Sequence, residues 1–241
     1  MSLRPSLVII GNTAVKFFTL RGTKPVLVKV LPADAKRVSK HPLLKGAGAV
    51  IIASVVPAIT RVVKQTVKAR AVELRNSDIP IPNLYRNKIE TGIDRLLASY
   101  AAREKYGAPL IVIDFGTATT LNVVDRLGRF AGGMILPGFG VFGEYLHKKT
   151  AKLPKLEFEK PKELIGKDTR QNILSGTYSG AVAMTEGVIS LLKKKIRHKV
   201  KVVATGGFAP AAVKAIKGID FIDRGLVASG AAIVFTGRIK K

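Results

Sequence analysis

One pattern occurs twice in this chain and restricts the folds open to it: an apolar strand, a glycine-and-threonine turn, and a second strand ending in another tight turn. The later copy is LIVIDFGTATTLNVVDRLGRFAGGMILPG, Leu110 to Gly138. Leu110 to Ile113 is an apolar, β-branched run suited to a central strand. Asp114-Phe115-Gly116-Thr117 then sets an acid at the strand end, a glycine where backbone must approach something closely, and hydroxyls at Thr117, Thr119 and Thr120, the outline of a phosphate-binding turn. The strand resumes as Thr120 to Val124, turns at Asp125 to Gly128, and returns through Arg129 to Ile135 before Pro137-Gly138. Taken alone, this stretch reads equally well as a plain β-hairpin. The earlier copy tips the balance: Leu7 to Thr13 (LVIIGNT), Ala14 to Leu20, and a turn at Arg21 to Lys24, with Gly11 aligned to Gly116. A further echo pairs Val50 to Pro57 (VIIASVVP) with Val202 to Pro210 (VVATGGFAP), each a buried strand leading into a helix. The chain therefore reads as two similar α/β halves, residues 1–107 and 108–241.

At 241 residues and 47% hydrophobic content, both halves can bury real cores. No apolar run reaches the roughly 18 to 20 residues that span a bilayer, and MSLRPSLVII reads as a short lead into a strand, so a cytoplasmic protein without membrane contact is expected. Zero cysteines exclude a disulfide framework, a thiolate nucleophile and a cysteine metal site. His41, His147 and His198 are scattered, which argues against a histidine metal site or a serine–histidine triad. The net charge is +25, carried as 17 Lys+Arg against 5 Asp+Glu in residues 1–100 and 24 against 11 in residues 101–241. Only Lys193 to Lys201 (KKKIRHKVK) is dense, and it holds no aromatic residue, so it reads as a solvated helix end and not a specific nucleic-acid site. A general attraction for anions such as nucleotides follows.

Between the repeats, Asp34 to Lys40 reads as a short helix, and Gly46-Ala47-Gly48 releases the chain into the strand Val50 to Val55. Pro57 starts a helix expected to run to about Leu74. The proline-rich IPIPNL, Ile79 to Leu84, reads as an exposed crossing segment. Tyr85-Arg86-Asn87 and Thr91 to Arg95 then precede an amphipathic helix from Leu96 to Lys105, which puts Asp94 and Arg95 near a helix N-terminus where anions are welcome. Taken alone, Asp94 reads more readily as a simple helix cap than as a functional carboxylate.

Over nearly its full length the chain resembles the type III pantothenate kinases, the family that includes the Bvg accessory factor proteins. The matching pieces are Gly11-Asn12-Thr13 with Lys16, Tyr85 to Asn87, Gly92-Ile93-Asp94-Arg95, Ile113 to Thr120, Gly132-Gly133 through Pro137-Gly138, Thr169-Arg170, Ser175-Gly176 and Thr205-Gly206-Gly207. The resemblance implies two ribonuclease-H-like halves of the actin-like ATPase superfamily, which also holds acetate and sugar kinases and Hsp70. It implies ATP-dependent phosphorylation of pantothenate to 4'-phosphopantothenate, the first step towards coenzyme A, by a homodimer.

Carried over, the family pattern makes Gly11, Asn12, Thr13 and Lys16 the first ATP phosphate turn and places Thr117 in the second, facing it, with ATP between. Asp94 matches the general base; Tyr85, Gly92, Ile93, Asp94, Arg95 and Thr169 match pantothenate-binding positions, with the Arg95 fork suited to the substrate carboxylate. Asp114 matches the position that holds a monovalent cation, potassium or ammonium. One departure stands at the centre of the pattern. The family's first motif is Asp-x-Gly-Asn-Thr, and Ile9 occupies the place of the acid that serves magnesium and the phosphates. Isoleucine offers no ligand, so charge neutralisation falls to Lys16, the cation at Asp114 and the basic field. A smaller departure is Lys88 in place of proline. Two readings follow: an active kinase impaired at its metal site, or a catalytically silent relative that binds ligands or nucleic acid as a regulator.

Overall fold

A computed structural model describes residues 5–46 and 48–239; the expected release at Gly46-Ala47-Gly48 and the first residues of the N-terminal lead lie partly outside them. The chain order of elements shows the duplication directly. In the first half, β1 (Ser6–Ile10), β2 (Ala14–Arg21) and β3 (Lys24–Pro32) form an antiparallel meander; β4 (Val50–Ser54) and β5 (Ala71–Glu73) add parallel strands on the other side of β1. The sheet order is β3-β2-β1-β4-β5. In the second half, β6 (Leu110–Phe115), β7 (Ala118–Val124) and β8 (Phe130–Pro137) repeat the meander, while β9 (Lys201–Thr205) and β10 (Phe221–Ile222) repeat the parallel pair. Its order, β10-β9-β6-β7-β8, is the same sequence of strands read from the opposite edge.

Each core follows from strand alternation. Val8, Ile10, Val15, Phe17, Val50 and Ile52 point to one face of the first sheet, where α1 (Ala35–Ser39), α2 (Pro42–Gly46) and α3 (Pro57–Val67) contribute Val38, Leu44, Ile59 and Val63. In the second half, Ile111, Ile113, Phe115 and Leu121 meet residues of α5 (Phe139–Lys149), α6 (Thr169–Ile196) and α7 (Ala209–Ala215), among them Phe139, Ala181, Ile189 and Ala212. The stretch Lys193 to Lys201 leaves α6 through Arg197, whose φ of 57° turns the chain towards β9.

Three expectations need correction. The helix from Pro57 stops at Val67, because Lys68 takes a φ of 53° and a short turn follows; the chain then forms β5, a strand hidden by a helix-like run of residues. The proline-rich segment is only partly exposed: Ile79 and Ile81 are 5% and 6% exposed, anchoring alternate positions while Pro80 and Pro82 face outward. Finally, α8 (Leu226–Ile239) does not join the second half. It packs on α4 (Ile93–Tyr106), β1, β3 and β4, so close to α4 that a Cβ on Gly230 would overlap the Leu97 backbone. The two compact units are therefore the described residues up to Gly107 with Gly128–Ala131 and those from Gly225 onward, and Ala108–Leu127 with Gly132–Arg224.

Candidate active site

In the first unit, the expected substrate residues gather at the start of α4. Helix formation begins at Ile93, three residues before the sequence suggests, and Gly92 is its N-cap with its carbonyl accepting from Arg95 N–H at 3.1 Å. A Cβ on Gly92 would stand 2.6 Å from Asp94 Oδ1, so glycine there leaves the carboxylate room to lie over the start of the helix. Asp94 lies inside the first turn, not at the cap, and its Oδ1 accepts Arg95 N–H at 2.8 Å. Burial pushes the Asp94 carboxyl above the usual carboxylate range, against the opposing pull of that N–H and of the Arg95 charge. A partly desolvated carboxylate with a raised pKa is suited to taking a proton from a hydroxyl near neutral pH.

Arg95 is only 7% exposed. Its Nη1 donates to the Tyr85 hydroxyl at 3.3 Å, and its guanidinium carbon lies 5.6 Å from the Tyr85 ring centre and 5.5 Å from that of Phe130. Asparagines brace this corner. Asn83 Oδ1 accepts Tyr85 N–H at 3.0 Å and its Nδ2 donates to Thr91 Oγ1 at 3.1 Å, while Asn76 Nδ2 donates to the Thr91 carbonyl at 2.7 Å. Ile93 is buried beneath the turn. Phe130 and the two asparagines were not among the expected residues; Phe130 reaches this unit through long-range pairing that leaves no local signal.

The first glycine turn lies at the end of β1. Gly11 N–H donates to the Ala14 carbonyl at 3.0 Å, and Asn12 and Thr13 are exposed. Ile9 pairs across the sheet with Lys16 on β2 and with Ala53 on β4, so these three side chains share one face. In the second unit the matching strand end carries Asp114, paired with Thr120 on β7 and Thr205 on β9. Ile9 and Asp114 are thus equivalent positions of the internal repeat, two residues before Gly11 and Gly116. Gly116 N–H closes its turn on the Ala118 carbonyl at 3.2 Å, and Thr117 is exposed. Gly206, at φ 96°, lies where a Cβ would strike Asp114 Oδ1, and a Cβ on Gly138 would strike the carbonyls of Gly116 and Thr117. Thr169, the remaining substrate candidate, is the exposed first residue of α6 in the second unit.

These donor sets discriminate between cations. At the first turn, Ile9, Lys16 and Ala53 supply no oxygen ligand, and among the described residues no group of three or more His, Cys, Asp or Glu could hold a metal. That face therefore offers a divalent ion no carboxylate ligand. At the second turn, the Asp114 carboxylate shares its sheet face with the Thr120 and Thr205 positions, oxygen donors of the kind a monovalent cation would need.

Two five-stranded mixed sheets of identical strand order, each with a glycine–threonine turn after its first strand, define an α/β protein of the actin-like ATPase fold. The chain is similar to the crystal structure of a Baf family protein from Campylobacter jejuni (TM-score 0.69, 18% identity, 98% of this chain and 100% of that one). It is also similar to MreB 5 of Spiroplasma citri bound to AMPPNP (TM-score 0.52, 12% identity, 100% and 98% covered). The profile of the type III pantothenate kinases matches residues 7–191. A type III pantothenate kinase of Desulfatibacillum aliphaticivorans is 40% identical over 159 residues, 66% of this chain and 62% of its own. The chain belongs to the type III pantothenate kinase family. The chain spans about three fifths of the length of curated relatives it matches, 62%, 57% and 61% in three of them. Among the described residues no helix is long and apolar enough to cross a membrane.

Proposed function

We propose that this protein transfers the γ-phosphoryl group of ATP to the terminal hydroxyl of pantothenate. The observation that carries the reading is Asp94, a carboxylate with a raised pKa in the first turn of α4, adjoining a buried arginine held by Tyr85. Asp94 takes the proton of the attacking hydroxyl, and Arg95 binds the substrate carboxylate through its fork of donors. Tyr85, Gly92, Ile93 and Thr169 complete the substrate contacts. Gly11, Asn12, Thr13 and Lys16 bind ATP phosphates at one turn and Thr117 at the other. Phosphoryl transfer asks little covalent chemistry of the protein, so positioning and positive charge supply most of the catalysis. Asp114 would hold a potassium or ammonium ion, which supplies a fixed positive charge beside the phosphates.

The protein works as a cytoplasmic homodimer in this reading. The exposed residues Gly176, Gly180, Ala183 and Gly187 make an uncharged stripe of small side chains along α6, and a Cβ on any of the three glycines would meet nothing within 4 Å. Such a stripe suits a helix approaching from a second subunit. Met134, Ile135, Tyr145 and Leu191 add exposed apolar surface in the same unit.

One observation favours a second reading, a catalytically silent relative that binds ligands or nucleic acid as a regulator: Ile9 leaves the repeat equivalent of Asp114 without a carboxylate. An assay of ATP-dependent pantothenate phosphorylation, with and without potassium, separates the two. Product formation supports the kinase. Nucleotide binding without product supports the silent relative.

A further inference from the structure

Phe130 lies at the start of β8, yet its surroundings belong to the first unit. Its N–H donates to the Pro82 carbonyl at 2.8 Å, and its own carbonyl accepts Leu84 N–H at 2.9 Å, so the residue is stitched on both sides into the segment that presents Tyr85. The stitching continues along α4. Arg103 Nη1 donates to the Gly128 carbonyl at 3.1 Å and Nη2 to the Pro80 carbonyl at 3.0 Å, tying the same helix to both segments that meet at Phe130. The Phe130 side chain is 0% exposed, and its ring centre lies 6.1 Å from that of Tyr85 and 5.5 Å from the Arg95 guanidinium carbon.

A buried leucine would fill such a position equally well if only volume mattered. A π-face differs in that it attracts a cation, and the guanidinium here touches two of them. The Tyr85 hydroxyl engages one nitrogen of the fork, while the rings limit its swing without using its donors. Arginine carries a large rotamer entropy, and fixing it before the substrate arrives removes that cost from binding.

We propose that Phe130 is a positioning residue for the substrate anion: with Tyr85 it forms an aromatic platform, the two rings side by side, against which the Arg95 guanidinium is set for one carboxylate. This role rests on the reading of Arg95 as the carboxylate-binding group of a pantothenate kinase. It predicts a specificity effect confined to the acid substrate, with the nucleotide site unaffected.

The test uses the full chain carrying Phe130→Leu, which keeps an apolar group of similar size, and Tyr85→Phe, which keeps the second ring but removes the hydroxyl. Two readouts are taken. In NMR spectra, ring currents displace the Arg95 side-chain protons in the wild type, and Phe130→Leu moves them towards ordinary values. In steady-state kinetics, Phe130→Leu raises KM for pantothenate roughly tenfold, with kcat within about twofold and KM for ATP unchanged, while Tyr85→Phe gives a smaller rise. Phe130→Trp, which restores a π-face, recovers part of the loss if it folds; the Leu variant decides the question if it does not. Equal changes in kcat and in both KM values would show a merely structural residue and overturn the proposal, as would an unchanged pantothenate KM. If the wild type neither binds nor phosphorylates pantothenate, the substrate assignment is what falls, and the role of Phe130 falls with it whatever the Arg95 signals show.

Discussion

Replacing Asp94 by asparagine should separate catalysis from stability in opposite directions. The substitution keeps an oxygen that can accept Arg95 N–H, the bond that measures 2.8 Å, so the start of α4 is preserved. What is lost is the proposed base. General base catalysis commonly contributes about 10²–10⁴ in rate, equivalent to about 2.7–5.5 kcal/mol of barrier, and kcat should fall by that factor. ATP affinity should stay within about twofold, because the group acts on the acceptor hydroxyl. The stability effect follows from the raised pKa of Asp94, caused chiefly by burial. A carboxyl whose folded pKa exceeds its unfolded value contributes stability fully below the unfolded pKa and loses it as pH rises through the folded one. At neutral pH the ionised group therefore burdens the fold, and Asp94→Asn should raise Tm by a few degrees there. The gain should disappear in acid, where the wild-type carboxyl is already neutral. Wild-type kcat/KM should correspondingly rise with pH through a value above the usual carboxylate range, and the residual activity of the variant should lack that step. Calorimetric melts from pH 3 to pH 8 together with initial rates decide the matter. A variant with wild-type turnover, or one whose Tm falls at neutral pH, would reduce Asp94 to a structural element of the first turn.

Three further outcomes follow from the same reasoning. Ile9→Asp places a carboxylate across from Lys16, and it should sharpen magnesium dependence and raise kcat by up to about 10²; reduced activity in a folded variant would show that the site is built around the apolar side chain. The proposed dimer should weaken at low ionic strength, where repulsion between two subunits of charge +25 is least screened, and sedimentation showing a monomer at micromolar concentration in moderate salt would refute it. The same charge should give only weak duplex binding that collapses as salt rises and shows no sequence preference; selective binding at physiological salt would instead favour the regulatory reading.

The duplicated meander was legible because alternation, glycine turns and an apolar run each leave a local trace, and both sheets repeat them in the same order. The strand β5 was not, since Ala71 to Glu73 continues the preceding helix in composition and the break falls on Lys68, a residue that does not announce a positive φ. Nor was the attachment of α8 to the first unit. Its run of small and apolar residues fits any apolar face, and only the close approach of Gly230 to Leu97 fixes its partner. At the site, the order of residues around Asp94 marked the corner expected to bind substrate, whereas the burial of Arg95 against two neighbouring rings depends on Pro82 and Leu84 pairing with Phe130 far along the chain. The equivalence of Ile9 with Asp114 could be read from the repeat, and the strand register gives it a face and neighbours.

Whether the chain transfers phosphate despite Ile9 is the central claim, and the most direct measurement follows radiolabelled γ-phosphate from ATP into pantothenate using the purified wild-type protein in potassium buffer. The account predicts label in 4'-phosphopantothenate, produced in proportion to enzyme and absent with Asp94→Asn. ATP bound by the folded protein, with no labelled product above that of the variant, would contradict it.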